Sequence, residues 1–238
     1  MANTYFRFKQ FTVYHDKCAM KVGTDGVLLG AWSAVGSGGN ILDVGTGTGL
    51  IALMIAQRSP AGVIWAVDNE ELALVQAKVN IDNSPFSDRI TLEGSTFQQF
   101  ARQTTSRFDL IVSNPPYFSD ALLPPLEQRA QARHSVTLTL DELLFSSRSC
   151  LAENGILSLI LPYNRSDELE KLCEKHAFYL KRKTVVHPLP NTLPKRILVE
   201  LALQQISQPE IRSLIIEKSR HHYTRDFTEL VHDFYLYL

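Results

Sequence analysis

Only three of the 238 residues are cysteine, Cys18, Cys150 and Cys173, and no two of them form a C-x-x-C pair. That scarcity argues against a disulfide framework and a cysteine-based zinc site, and it fits a reducing, cytoplasmic setting. Long apolar runs are missing as well. No stretch approaches the roughly 18–20 residues needed to cross a bilayer, and the first residues carry no apolar segment of the secretory kind, so no membrane partner is expected. Low-complexity tracts and internal repeats are absent, and so is any excess of one charge. With 24 Lys and Arg against 25 Asp and Glu, the formal net charge is −1, which excludes a globally basic nucleic-acid binder. What remains is ordinary globular composition, 45% hydrophobic and 21% charged, long enough for one α/β domain with a sizeable core.

Residues 6–13 alternate apolar and polar over their first half and predict a short strand. A helix is expected over 25–32, with Thr24 or Asp25 as N-cap, then a flexible break at Gly36-Ser37-Gly38-Gly39. From residue 40 onward, short apolar strands (41–44, 63–67, 90–92, 108–112, 156–161, 183–187, 197–203) alternate with helices (50–57, 70–80, 139–151, 166–175). That alternation predicts a doubly wound, mostly parallel α/β sheet of Rossmann-like type, with helices on both faces. The chain reads as a single domain: an extension over 1–39 with a strand and a helix, a core over 40–206, and a helical tail over 207–238.

The chemistry starts at Asp43-Val44-Gly45-Thr46-Gly47-Thr48-Gly49, between the first core strand and its helix. In such a sheet this turn lies at the carboxyl edge, where ligands bind. Glycines at 45, 47 and 49 let the backbone turn sharply and approach a ligand closely. Asp68, followed by Asn69, ends the next strand 19 residues beyond Gly49, placed to hold a ribose diol. The third glycine comes one residue early for the dinucleotide fingerprint, and Asp43 would repel a pyrophosphate. S-adenosylmethionine has no phosphate, and its cationic amino-acid tail tolerates a carboxylate, so this spacing favours it over NAD. A plain strand–turn–helix glycine cluster is the alternative.

Ser113-Asn114-Pro115-Pro116-Tyr117 follows the fourth core strand on the same edge. Taken alone, Asn-Pro-Pro is a turn. Beside a methyl-donor site it has a chemical use. A ring amino group is a weak nucleophile, because its lone pair is delocalised. The Asn114 side-chain oxygen and the Pro115 carbonyl can each accept one of its N–H bonds, orienting the nitrogen and stabilising charge that develops on it. Pro115 and Pro116 stiffen the segment, and Tyr117 offers a ring for base stacking, or else is a core aromatic.

The combination resembles the class I S-adenosylmethionine-dependent amino-methyltransferases over about residues 20–205. Three longer stretches resemble one subfamily: residues 15–32, the turn with its helix at 43–58, and the tail at 223–236. They are similar to the bacterial tRNA1(Val) (adenine(37)-N6)-methyltransferase family nearly end to end. The resemblance implies methylation of an adenine in the single-stranded anticodon loop of tRNA, where a base is splayed out at little cost. It also puts Lys21, Thr24 and Asp25 against the cofactor, unless the last two only cap their helix. One departure stands out. These enzymes commonly carry an aspartate after the third strand for the cofactor adenine, and Thr96 occupies that place here.

Phe118, Arg129 and Arg133 follow the Asn-Pro-Pro-Tyr segment as candidate RNA contacts, with His134 supporting their loop. A second basic candidate is local. Lys175, Lys181, Arg182, Lys183, Lys195 and Arg196 span a stretch with no Asp or Glu, so reversing 181–183 is expected to weaken tRNA binding. His221, His222 and His232 lack the spacing of a metal site, so no metal is expected. A monomer is expected. Three other readings stay open: a glutamine-N5 methyltransferase acting on protein, an amino-methyltransferase acting on rRNA or DNA, and a non-catalytic S-adenosylmethionine-binding module. The first usually carries a separate helical domain, for which about 40 residues before the core leave too little room.

Overall fold

The computed structural model describes residues 3–18, 21–116 and 138–237. An N-terminal hairpin of β1 (Tyr5–Arg7) and β2 (Thr12–Tyr14) leads to α1 (Thr24–Trp32). The core then runs β3 (Gly38–Val44), α2 (Leu50–Arg58), β4 (Ala61–Asp68), α3 (Glu71–Asp82), β5 (Ile90–Gly94), α4 (Phe97–Gln103) and β6 (Phe108–Ser113). Beyond residue 138 come α5 (Leu140–Cys150), β7 (Leu151–Pro162), α6 (Ser166–His176), β8 (Tyr179–His187) and β9 (Arg196–Ala202). The chain closes with β10 (Glu210–Ile215), a hairpin of β11 (Glu217–Ser219) and β12 (His222–Tyr223), and α7 (Arg225–Val231).

Eight strands form one sheet in the order β10-β8-β9-β7-β6-β3-β4-β5, with β9 alone antiparallel to its neighbours. The chain winds outward through β4 and β5 on one side of β3, and through β6 and β7 on the other. The order therefore reverses between β3 and β6, the place where doubly wound sheets open a crevice at their carboxyl ends. Each face carries its own core. Leu28, Leu29, Leu53, Met54 and Ile55 of α1 and α2 pack on one, and Phe97, Leu140, Leu144 and Leu169 of α4, α5 and α6 on the other. Because the central strands β3, β6, β7 and β9 are covered on both sides, they carry continuous buried runs, whereas β5, β8 and β10 are partly exposed.

Three expectations need correction. Gly38 and Gly39 are not a flexible break but the first residues of β3. A side chain at Gly39 would sit 2.5 Å from Asp109 Oδ2, which accepts the Asn40 N–H, so the absence of a Cβ serves close packing. The N-cap of α1 is Gly23, with no side-chain cap, so neither Thr24 nor Asp25 fills that role. The stretch after 206 is not a helical tail. Residues 210–215 pair parallel with β8 along its open side, which satisfies backbone groups that β8 would otherwise expose. Among the described residues of this stretch, helix appears only in α7, whose Phe227 and Val231 join the α1–α2 core. Phe8, Phe11 and Val13 of the N-terminal segment reach the same core.

Candidate methyl-transfer site

Gly45, Gly47 and Gly49 have φ of 71°, 55° and 80°. These left-handed values are costly for any side chain, which is why the turn is built on glycine. Nothing lies within 4 Å of where a Cβ would stand at Gly45 or Gly47, so the turn faces open space. The Gly45 and Thr46 N–H groups donate to Val67 O at 2.9 and 3.1 Å, tying the turn to the end of β4.

Asp43 is fully buried beneath this turn. Its Oδ2 accepts from Thr46 Oγ1 at 2.6 Å and from the Ala52 N–H at 3.1 Å, in the first turn of α2. It thus caps a helix whose own N-cap, Gly49, has no side chain to offer. Its other oxygen, Oδ1, has no partner among the described residues. Burial raises this carboxyl to about 7, against the two hydrogen bonds that lower it. An unsatisfied buried acceptor beside an open glycine turn fits the ammonium end of S-adenosylmethionine, which would favour the ionised form.

The raised value has a consequence with a defined sign. Between about pH 4 and pH 7 the unfolded chain ionises Asp43 while the folded protein keeps it protonated. Stability is therefore full below the unfolded value and is lost as pH rises through about 7, by at most about 4 kcal/mol. Asp43→Asn keeps the shape and removes the titration. The variant should unfold at a higher temperature than the parent at neutral pH, with a flatter pH profile, and should lose the rise in cofactor affinity up to pH 7. Parallel profiles for the two proteins would overturn the assignment.

Asp68 closes the other side. Its Oδ2 accepts the Gly47 N–H at 2.8 Å and its Oδ1 the Glu70 N–H at 3.0 Å. Each oxygen keeps a further lone pair for a ribose hydroxyl, and Asn69 beside it is exposed. At the end of β5 the expectation shifts by one residue. Thr96 is the N-cap of α4, its hydroxyl accepting from the Gln99 N–H at 3.3 Å. The preceding Ser95 has a buried hydroxyl oxygen with no partner among the described residues, and its N–H donates to Asp68 O. Ser95 thus holds an uncommitted hydroxyl beside Thr96 at the end of β5.

Asn114, Pro115 and Pro116 leave β6 at the same edge. Ser113 Oγ donates to Val44 O at 2.8 Å, pinning the end of β6 to the residue before Gly45. Pro115 is buried, with Asn114 and Pro116 half-buried. Tyr117, Phe118, Arg129, Arg133 and His134 lie outside the described residues.

Among the flanking candidates, Lys21 and Thr24 are exposed, while Asp25 accepts from Arg196 Nε at 2.7 Å. That ion pair occupies two residues assigned separate roles from the sequence, one toward the cofactor and one toward RNA. It also locks the start of α1 to the start of β9. The basic stretch is further broken up. Lys175 pairs with Asp141, and Arg182 forms a two-pronged pair with Glu200. Strand alternation puts Arg182 with Thr184 on the α1 face and Lys183 with Val185 on the other, so 181–183 is not one patch. Arg182 is therefore not available to tRNA. Lys181 and Lys195 remain exposed. Among the described residues no cluster of His, Cys, Asp and Glu could hold a metal ion, and no helix is long and apolar enough to cross a membrane.

Sequence reasoning missed Asn80. It is buried, and it exchanges two hydrogen bonds of 2.9 Å with the Tyr14 backbone while donating to Thr48 O at 2.8 Å. It therefore fastens the N-terminal hairpin to the glycine turn. The signal was there, since Gln76 and Asn80 interrupt the buried stripe of Ala73, Ala77 and Ile81.

A doubly wound sheet with an open glycine turn over a buried aspartate, and an acid at the end of the next strand, defines an S-adenosylmethionine-dependent methyltransferase of Rossmann-like fold. The Methyltransferase small domain family matches residues 20–182. Similar folds include a crystal structure of a predicted O-methyltransferase from Agrobacterium tumefaciens, with a TM-score of 0.69 at 20% identity, covering 88% of this chain and 96% of that one. A ribosomal protein L11 methylase from Lactobacillus delbrueckii has a TM-score of 0.52 at 19% identity, covering 74% and 76%. Relatives in sequence are far nearer. A tRNA1(Val) (adenine(37)-N6)-methyltransferase of Parabacteroides distasonis is 48% identical over 99% of both chains. One of Yersinia enterocolitica is 42% identical over 97% of this chain and 92% of that one. The chain belongs to the tRNA1(Val) (adenine(37)-N6)-methyltransferase family.

Proposed function

We propose that this protein methylates N6 of an adenine in tRNA, adenine 37 of the anticodon loop of tRNA1(Val). The observation that carries the reading is the juxtaposition of Asn114 and Pro115 with the glycine turn, across the point where the strand order reverses. When bound, S-adenosylmethionine supplies a sulfonium methyl as electrophile and takes back the C–S electron pair. In this reading Asp43 receives the ammonium end, Asp68 and Asn69 the ribose, and Ser95 the adenine. Lys21 and Thr24 border the methionine end.

Asn114 Oδ1 and the Pro115 carbonyl accept the two N–H bonds of the target amino group. This turns the nitrogen lone pair out of conjugation and toward the methyl carbon. As the N–C bond forms, the nitrogen becomes positive, and the two oxygens stabilise that charge. The nitrogen then releases its extra proton to water without a strong base, because its conjugate acid is strong. Tyr117 stacks on the base, while Phe118, Arg129 and Arg133 contact the surrounding RNA. Residues 1–238 act as one domain. The turn and the Asn-Pro-Pro segment come from the same chain, so one copy carries both halves of the site. A tRNA substrate and three free thiols support a cytoplasmic site of action.

Incubation with labelled S-adenosylmethionine and total tRNA from an unmodified strain should yield N6-methyladenosine that maps to one position. Its absence from every tRNA fraction would sink the reading.

A further inference from the structure

We infer that the β11–β12 hairpin is a docking surface for the phosphate backbone of the tRNA stem, an inference that rests on the function proposed above. β10 runs parallel to β8, and β8 runs the same way as β7, β6 and β3, so β10 ends on the edge that carries Gly45 and Asn114. The hairpin follows at once. Ile216 and Glu217 donate to His187 O and Pro188 O, and the Lys195 N–H donates to Val186 O, so the hairpin abuts the turn that carries Lys195.

Lys218 and Arg220 are exposed and have no carboxylate partner among the described residues, and the same holds for Lys195. Among the neighbouring charges, Arg225 pairs with Glu229 and Arg196 with Asp25, while Glu217 accepts the His221 N–H and, like Asp226, keeps its charge, so the edge is cationic through Lys195, Lys218 and Arg220 against these two carboxylates. His221 and His222, also exposed, add donors at the tip. A local cationic edge of this kind binds a polyanion even in a chain of net charge −1, since counterion release depends on the charges in contact.

Position selects the part of the RNA that is met. β10 lies four strand spacings from β6, about 19 Å from the strand that carries Asn114. With the target base at Asn114, the hairpin meets the flanking stem and not the loop.

The test compares the parent with the double variant Lys218→Ala/Arg220→Ala and with Lys218→Arg/Arg220→Lys, each on tRNA and on a short oligonucleotide carrying the anticodon loop alone. The double variant should bind tRNA roughly tenfold or more weakly at physiological salt. Its plot of log affinity against log salt should be shallower by about 1.8, the slope of two phosphate contacts. Both proteins should bind the loop oligonucleotide alike, and Lys218→Arg/Arg220→Lys should restore tRNA affinity. An unchanged slope, an equal loss on the loop oligonucleotide, or failure of the parent to bind tRNA overturns the inference. A parent that binds tRNA through the hairpin yet yields no N6-methyladenosine overturns the proposed reaction and leaves the docking surface standing.

Discussion

Asn114→Ala is expected to lower methyl-transfer turnover by about 10²–10³, while affinity for S-adenosylmethionine stays within about twofold. The magnitude is that of removing one preorganised acceptor from a site of developing charge, about 2.7–4 kcal/mol of barrier. Selectivity follows from topology. Asn114 follows the end of β6, whereas the groups assigned to the cofactor lie at the ends of β3, β4 and β5. The backbone position is held independently of the Asn114 side chain by Ser113 Oγ on Val44 O, so the truncated variant keeps its edge geometry. Single-turnover methylation of tRNA beside a calorimetric titration with the cofactor separates the two quantities. Full turnover in the variant would remove Asn114 from the chemistry. A parallel loss of cofactor affinity would instead give it a binding role.

Arg182→Ala should destabilise the protein by about 3–5 kcal/mol, a fall of roughly 6–20 °C in Tm. Glu200 is only 1% exposed, and its carboxylate is held by Arg182 Nε and Nη2 at 3.1 and 2.8 Å and by the Ala34 N–H at 2.6 Å. The same guanidinium donates to Trp32 O at 2.7 Å and lies 3.8 Å over the Trp32 ring. Removing Arg182 leaves a buried charge with one hydrogen bond, the costly way to break such a pair. Replacing both partners by apolar residues of similar size (Arg182→Met/Glu200→Leu) should recover much of the loss, because the penalty lies in the orphaned carboxylate. Thermal denaturation of the parent, the single and the double variants decides it. A single variant as stable as the parent would show that the pair contributes nothing.

Sequence and structure agree most closely where the determinants are local. The strands ending at Val44, Asp68 and Ser113 are legible because short apolar runs broken by glycine, acid or proline have few ways to fold. The left-handed φ values at 45, 47 and 49 are what those glycines imply. Agreement is weaker after residue 206. Residues 210–215 are exposed at most positions and lack the apolar run of a central strand, so only the open side of β8 reveals them as a strand. Thr96 shows what the sequence leaves open: its hydroxyl caps α4, a use that only the start of that helix reveals.

The sequence by itself determined the reaction class, since the glycine turn, Asp68 and Asn-Pro-Pro each draw their chemistry from a few consecutive residues. Only the tertiary structure decided which charges are free. Arg196 meets a carboxylate 171 residues away, and Arg182 meets the Trp32 carbonyl 150 residues away. The uncompensated basic run of residues 175–199 is thus partly neutralised by Asp25 and Asp141, far off along the chain, and by Glu200, just beyond its end. Coulombic pairing acts over a few ångströms of space whatever the separation along the chain. The net charge of −1 is a sum over positions that only folding brings together or apart, and folding leaves Lys195, Lys218 and Arg220 on the edge where the chemistry lies.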